Sequence, residues 1–236
     1  MEAMQTVGSI IKNVKNENRK TLTEIESKEI LNEIGIATPR FELATTADEA
    51  VLFADKLGYP VVLKIVSPEI THKSDANGVM LNLLSANEVK NAFSKIINNA
   101  FKYDESARVL GVSVQTMIKK GTEVIIGMKR DENFGPVLLF GLGGIFVELL
   151  KDVSLKVLPL DDVDIDKMFA EIKGGKILNG YRNSKPADLE ELKQIIKKVA
   201  QLSSEYPEIF ELELNPVLVQ EKDKGAIALD ARIILQ

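Results

Sequence analysis

The chain contains a single histidine, His72, and its neighbours make it a candidate for chemistry. It lies in Ser67-Pro-Glu-Ile-Thr-His-Lys-Ser-Asp-Ala-Asn-Gly-Val79, a polar, glycine-containing stretch between two apolar runs, which predicts a loop rather than a core helix. A neutral imidazole nitrogen can attack phosphorus and hold a phosphoryl group covalently. Lys73 and the backbone of 74–78 could balance the resulting dianion; the other reading of His72 is an exposed bystander. Lys64 ends the apolar run Val61-Val-Leu-Lys64. Its ammonium is therefore aimed at a specific anion or snorkels to water. Glu213-Leu-Asn215-Pro216 and Asp230-Ala-Arg232 fall on two late strands that could pair. Alternation puts Glu213 and Asn215 on one face of their strand. With Asp230 they form a set of hard oxygen donors of the kind Mg²⁺ takes together with nucleotide phosphates; the other reading is solvent-facing strand residues.

Gly141-Leu-Gly143-Gly144 puts three glycines within four residues after a predicted strand. The cluster fails the dinucleotide fingerprint, whose third glycine would fall at Phe146, and fails the P-loop, since no Gly-Lys-Ser/Thr follows. It either lets backbone N–H groups approach an anion or makes a tight strand-to-helix turn. Gly121-Thr-Glu123 places a carboxylate at the exit of a turn, which alone decides nothing.

Composition narrows the classes. The 236 residues are 45% hydrophobic and 28% charged, as in a globular protein with a real core. Lysine plus arginine number 30 against 35 acidic residues, a net charge of −5, which argues against a dedicated nucleic-acid binder. With no cysteine there is no disulfide framework, thiolate zinc site or thiol nucleophile, and one histidine cannot make a two-histidine metal motif. No signal-peptide core and no uncharged run of membrane-spanning length is present, so the expectation is a soluble cytoplasmic protein.

These residues need elements to position them. Thr21-Leu-Thr-Glu24, Thr46-Ala-Asp-Glu49 and Ser85-Ala-Asn-Glu88 read as three capping boxes, each preceding helical apolar spacing, with Gly35 and Gly58 ending the first two helices. Further helices are predicted over 186–202 and 161–172. Strands are predicted over 59–65, 79–83, 109–118, 124–129, 136–140, 210–214, 217–219 and 226–229. The first two pair with each other, and 109–118 with 124–129 forms a hairpin around Gly121. Residues 1–20 read as an arm, a partner-contacting helix or a frayed terminus. The fold class is mixed α/β or α+β, in two lobes over about 21–117 and 118–236.

In order, the pieces resemble the β subunit of the ADP-forming acetyl-CoA synthetases (acetate–CoA ligases), a family related to succinyl-CoA synthetase with an ATP-grasp fold. The matching stretches are Leu22-Thr-Glu24 to Pro39, Gly58-Tyr-Pro-Val-Val-Leu-Lys64, Ser67-Pro-Glu-Ile-Thr-His-Lys-Ser-Asp75, Gly121-Thr-Glu123, Phe134-Gly-Pro136, Phe140 to Glu148, Gly180-Tyr-Arg182, Glu213-Leu-Asn-Pro216 and Asp230-Ala-Arg232. They cover nearly the whole chain. The chain departs at Asn77-Gly78, where the family often has Gly-Gly, and at Arg182-Asn-Ser-Lys-Pro186, where it has Arg-Gly-x-Pro.

The resemblance implies two lobes that close on ATP or ADP. Lys64 is implied at the phosphates, Met117 and Ile118 at the adenine, and Glu123, Gly143 and Gly144 elsewhere in the nucleotide site. Asn215 and Asp230 are implied as Mg²⁺ ligands, with Glu213 acidic beside a phosphorylated histidine and His72 a phosphoryl relay. It implies the reaction acyl-CoA + ADP + Pi ⇌ carboxylate + ATP + CoA, run with a CoA-binding α subunit in an α₂β₂ complex. Two other readings use the same nucleotide site: a stand-alone ATP-grasp ligase or kinase, and a non-enzymatic nucleotide-binding regulatory module.

Overall fold

The computed structural model of the chain describes residues 6–144, 150–181 and 185–236, so Phe146-Val-Glu148 and Arg182-Asn-Ser184 lie outside the described residues. The chain forms two compact units. The larger comprises Met1–Leu22, Glu26–Thr38 and Lys120–Gln236; the smaller comprises Thr23–Ile25 and Pro39–Lys119. A single cut at 117/118 therefore misses two segments, Glu26–Thr38 and the N-terminal one, which belong with the C-terminal residues. The expected arm is helix α1 (Val7–Asn16), whose Thr6 caps its first turn. Val7, Ile10, Ile11 and Val14 recur at i, i+3, i+4 and i+7, and all four are buried in the larger core. That stripe, spaced among lysines and asparagines, is what holds the segment down.

In the smaller unit, β1 (Phe41–Ala44), β2 (Val61–Val66), β3 (Val79–Leu83) and β4 (Gly111–Thr116) form an antiparallel sheet in the order β1-β4-β2-β3. Helices α3 (Ala47–Leu57) and α4 (Ala86–Tyr103) pack on one face, where Val61, Leu63, Ile65, Val112 and Val114 meet Ala50, Ala54, Val89, Phe93 and Ile96. The capping box at Thr46–Glu49 forms in full. At Ser85 the hydroxyl accepts from Glu88 N, but the Glu88 carboxylate reaches one residue further back, to Leu84 N at 2.8 Å. The 79–83 strand pairs with β2 as expected.

Helix α2 (Glu24–Glu33) is where the box reading fails. It begins at Glu24 itself, while Thr21 bridges to Ile234. The Glu24 side chain has a different employment, described below.

In the larger unit, β5 (Thr122–Asp131), β6 (Gly135–Leu142), β7 (Val153–Val157), β8 (Ile209–Val219), β9 (Ala226–Ala228) and β10 (Ala231–Leu235) form an antiparallel sheet in the order β10-β8-β5-β6-β7, with β9 also on β8. Val124, Ile126 and Met128 of β5 and Leu138, Phe140 and Leu142 of β6 point into the core. There they meet α5 (Asp162–Glu171), α6 (Leu189–Glu205) and α1. The alternate residues Ile125, Gly127, Val137 and Leu139 line the opposite face. The hairpin expected around Gly121 does not form, because β4 and β5 belong to different sheets. The two runs predicted at 210–214 and 217–219 are one strand, β8. Strands β1 and β7 escape the alternation rule, since each carries mostly half-exposed residues. Among the described residues, no helix is long and apolar enough to cross a membrane.

The segment carrying His72 is folded back onto β2. Gly78 N donates to Lys73 O at 2.8 Å, Asn77 N to Ser74 O at 3.0 Å, and Ile65 N to Gly78 O at 2.8 Å. Asn77 takes φ 48°, the left-handed conformation that asparagine tolerates, so Asn77-Gly78 supports the turn. A Cβ on Gly78 would lie 2.5 Å from Ile65 Cγ2 and 3.2 Å from Lys73 O. Gly78→Ala should therefore destabilise the protein by about 1–3 kcal/mol, as overpacking does. Gly8→Ala, in α1 with its nearest neighbouring atom 4.0 Å away, should stabilise by up to about 1 kcal/mol. Urea unfolding of both variants checks the opposite signs.

Candidate functional site

In the smaller unit, β2 is buried on both faces. A lysine in such a strand needs a counter-charge, because an isolated buried ammonium is too costly. The counter-charge is Glu24. Its carboxylate accepts from Lys64 Nζ at 2.9 Å and from Gln115 Nε2 at 2.9 Å, and Lys73 Nζ lies 3.5 Å away. Glu24, Lys64, Gln115 and Ser113 are all buried. The register explains the meeting: Lys64 stands opposite Ser113 and Val62 opposite Gln115, so the three polar groups share the face of the sheet away from α3 and α4. Gln115 also donates to Ser113 Oγ. The anion expected for Lys64 is thus, within the chain, a carboxylate. His72, one residue before Lys73, is exposed; its carbonyl accepts from Asp75 N at 3.1 Å, which opens the turn, and its ring faces solvent.

Met117 and Ile118 follow β4 directly and are half-buried. Met117 N donates to Pro60 O at 3.4 Å, which ties the segment to the start of β2. Beside Pro60, burial and the neighbouring Asp55 carboxylate push the Tyr59 phenol up to about 12.

In the larger unit, a bulge builds the oxygen cluster. Val124 of β5 stands opposite Val217, but Ile126 stands opposite Leu214, so Asn215 and Pro216 together face Ile125. A proline, which cannot donate to the ladder, fits an interior strand only at such a place. At the same point β8 changes partner on its other side, from β9 (Val217 opposite Ala228) to β10 (Leu214 opposite Ala231). The connecting residues close on the bulge, with Leu229 N donating to Pro216 O at 2.9 Å and Asn215 N to Asp230 O at 3.3 Å. Asp230 is thereby set beside Asn215. Asn215 Nδ2 donates to Glu213 Oε1 at 3.0 Å, so both lie on one face as alternation requires. Arg232, opposite Glu213, donates to Glu213 and Glu211 at 2.7 Å each and holds the Glu213 carboxylate.

The structure brings the side chains of Asn215 and Glu213 together and ties the backbone of Asp230 to that of Asn215. Glu123 and Gly143 form a second local group. Gly143 N donates to Glu123 O at 2.7 Å, and a Cβ on Gly143 would sit 2.9 Å from Glu123 Cβ. Only glycine permits that crossing, while Gly144 follows at φ 61°. Among the described residues, no group of three or more acidic or histidine side chains is arranged to hold a metal ion. Mg²⁺ needs no such group, since it usually keeps water and phosphate oxygens beside one or two protein oxygens. Asn215 and Asp230 fit that mode by their donor chemistry.

Sequence reasoning misses the Glu24 carboxylate, whose spacing reads as a cap, its contact with Gln115, whose segment the resemblance assigns to the adenine border, and the clamp by Arg232. The signal for Glu24 was Lys64 itself, a charge in an apolar run that demanded a partner.

Against known proteins, an ATP-grasp domain model matches residues 13–235. The β subunit of an ADP-forming acetate–CoA ligase I from Pyrococcus furiosus is 48% identical, over 100% of both chains. A 4-hydroxybutyrate–CoA ligase (ADP-forming) from Nitrosopumilus maritimus is 49% identical over 95% of this chain, which spans 32% of that longer protein. Among solved structures, the dinucleotide-forming acetyl-coenzyme A synthetase 1 of Ca. Korarchaeum cryptofilum, in complex with coenzyme A and Ca-AMPCP, superposes with a TM-score of 0.92 at 43% identity, covering 96% of this chain and 98% of that one. A second structure of that enzyme, with coenzyme A, Mg-AMPPCP and a phosphohistidine segment pointing towards the nucleotide binding site, gives 0.83 at 41% identity, over 98% and 100%.

The raised Tyr59 pKa predicts a sign. The folded state keeps its proton above the ordinary value of 10.0, so Tyr59 contributes stability below about pH 10 that is lost as the pH rises towards 12. Ultraviolet titration should show a late-ionising phenol that is absent in Tyr59→Phe.

Proposed function

We propose, since the chain belongs to the ATP-grasp family and within it to the β subunits of the ADP-forming acetate–CoA ligases, that it is the nucleotide-binding subunit that converts ADP to ATP in such a ligase. The observation that carries the reading is the β8 bulge, where the side chains of Asn215 and Glu213 meet and the backbone of Asp230 is tied to that of Asn215. Hard oxygen donors in that number suit the Mg²⁺ of a nucleotide diphosphate or triphosphate.

The roles follow from each residue's chemistry. Lys64 binds phosphate oxygens, and Met117 and Ile118 give the adenine an apolar border. Glu123 and the backbone at Gly143 and Gly144 serve the remainder of the nucleotide. Asn215 and Asp230 hold Mg²⁺, which when bound neutralises phosphate charge and shapes it for in-line transfer. His72, exposed on a tethered turn, takes a phosphoryl group from a phosphohistidine of the partner. A terminal phosphate oxygen of ADP then attacks that phosphorus, the P–N bond breaks, and the imidazole leaves with the electron pair. Glu213, clamped by Arg232, is the acidic residue we assign to serve a phosphorylated histidine. Such chemistry is mostly positioning and charge neutralisation, which fixed turns and a rigid bulge supply. Coenzyme A and the acyl group belong to the α subunit, in an α₂β₂ complex in the cytoplasm.

Two outcomes are expected. The isolated chain makes no ATP from acetyl-CoA, ADP and phosphate, and addition of the α subunit restores turnover. In the reconstituted enzyme, Asp230→Asn raises the Mg²⁺ concentration needed for half-maximal rate by about tenfold or more, as changes around metal ligands do. Turnover by the isolated chain, or an unchanged Mg²⁺ requirement in Asp230→Asn, contradicts the proposal.

A further inference from the structure

We infer that Glu24 is a positioning residue that holds Lys64 and the His72 turn in one arrangement through a single buried carboxylate. The inference rests on the roles proposed above for Lys64 and His72. Glu24 touches neither substrate in this account; it acts through its partners.

The geometry is specific. The Glu24 side chain is 1% exposed, against 8% for Lys64 and 13% for Lys73. Its Oε1 faces Lys64 and Gln115, both at 2.9 Å, and its Oε2 faces Lys73 at 3.5 Å. The two oxygens thus engage different parts of the unit: one engages the paired strands β2 and β4, the other the turn. Lys73 is the residue next to His72, and its carbonyl closes the turn by accepting from Gly78 N at 2.8 Å. Gly78 O in turn accepts from Ile65 N, the residue after Lys64, at 2.8 Å. The His72 turn is therefore fastened at both ends to the strand that carries Lys64. At its far end the fastening is backbone; at the His72 end it is the Lys73–Glu24 pair.

Charge-assisted hydrogen bonds in a buried setting, here from Lys64 and Gln115, are strong and directional, and the Lys73 contact at 3.5 Å adds an ion pair. Breaking one partner of such a set leaves a buried charge that repels the old geometry. A purely structural salt bridge would affect folding alone. A positioning carboxylate should change how well His72 is presented while the protein remains folded, and displacements of about 1 Å can cost about a hundredfold in rate. Lys73 offers a competing explanation, since its own charge could balance a phosphorylated His72. Glu24→Gln separates the two, because it removes the anchor and leaves the Lys73 ammonium in place.

The test uses the complex reconstituted with its α subunit. ATP formation from acetyl-CoA and phosphate is measured over a range of ADP, alongside the phosphate carried on His72. For Lys73→Met, on a turn at the surface, kcat should fall about tenfold or more with KM for ADP within about twofold, and Lys73→Arg should recover most of the rate. Glu24→Gln should lower kcat at least as much and also raise KM for ADP, since Lys64 loses its partner. Adding Lys73→Met to Glu24→Gln should cost little more in kcat, as expected of residues acting through one contact. A normal kcat in Glu24→Gln overturns the inference and leaves Lys73 as a simple counter-charge. A loss that follows only the folded fraction, with Lys73→Met unaffected, overturns it as well. A wild-type complex that makes ATP with no phosphate ever reaching His72 overturns the His72 reading and this inference with it; a labelled wild type with normal variants overturns this inference alone.

Discussion

A carboxylate that is almost entirely removed from water must collect donors from several directions, and in the smaller unit that requirement organises the candidate site. Glu24 collects Lys64, Gln115 and Lys73. Glu24 opens α2, and its carboxylate meets Lys64 and Gln115 on the sheet face away from α3 and α4 and Lys73 in the His72 turn. An ammonium and a carboxylate buried together contribute little net stability, since their desolvation offsets their attraction. Losing either alone is expensive, about 3–5 kcal/mol. Such a cluster is better understood as specifying an arrangement than as holding the fold together, which the apolar face under α3 and α4 does.

The larger unit solves its positioning problem with backbone. A two-for-one mismatch between β8 and β5 turns Asn215 and Pro216 out of the ladder where β9 gives way to β10. Asn215 is thereby set beside Glu213 on one strand and beside the backbone of Asp230 in the connection between β9 and β10. Arg232 adds an electrostatic clamp, on Glu213 and Glu211.

Much of this was legible in the sequence, because local rules govern it. The box at Thr46–Glu49, the stops at Gly35 and Gly58, the pairing of β2 with β3 and the shared face of Glu213 and Asn215 all depend on neighbours within a few positions. What was misread depends on distance. Thr21-x-x-Glu24 has the letters of a capping box, yet the carboxylate is taken by residues 40 and 91 positions away. The hairpin around Gly121 looked sound because turn chemistry cannot say that the chain is passing from one sheet to another. Helix α1 was underrated because four buried residues among polar ones make a narrow stripe. Strand β7 gave no signal, since Leu155 and Val157 remain exposed at the sheet edge and Lys156 lies between them.

The proposed chemistry requires His72 to carry the phosphoryl group. Its most direct test is to incubate the chain and its α subunit with Mg²⁺ and γ-labelled ATP, then map acid-labile, base-stable phosphate by mass spectrometry. Label on His72, absent from a folded His72→Ala complex, is the predicted result. Label confined to the partner, with ATP synthesis undiminished in His72→Ala, would contradict it and leave His72 a bystander on a well-made turn.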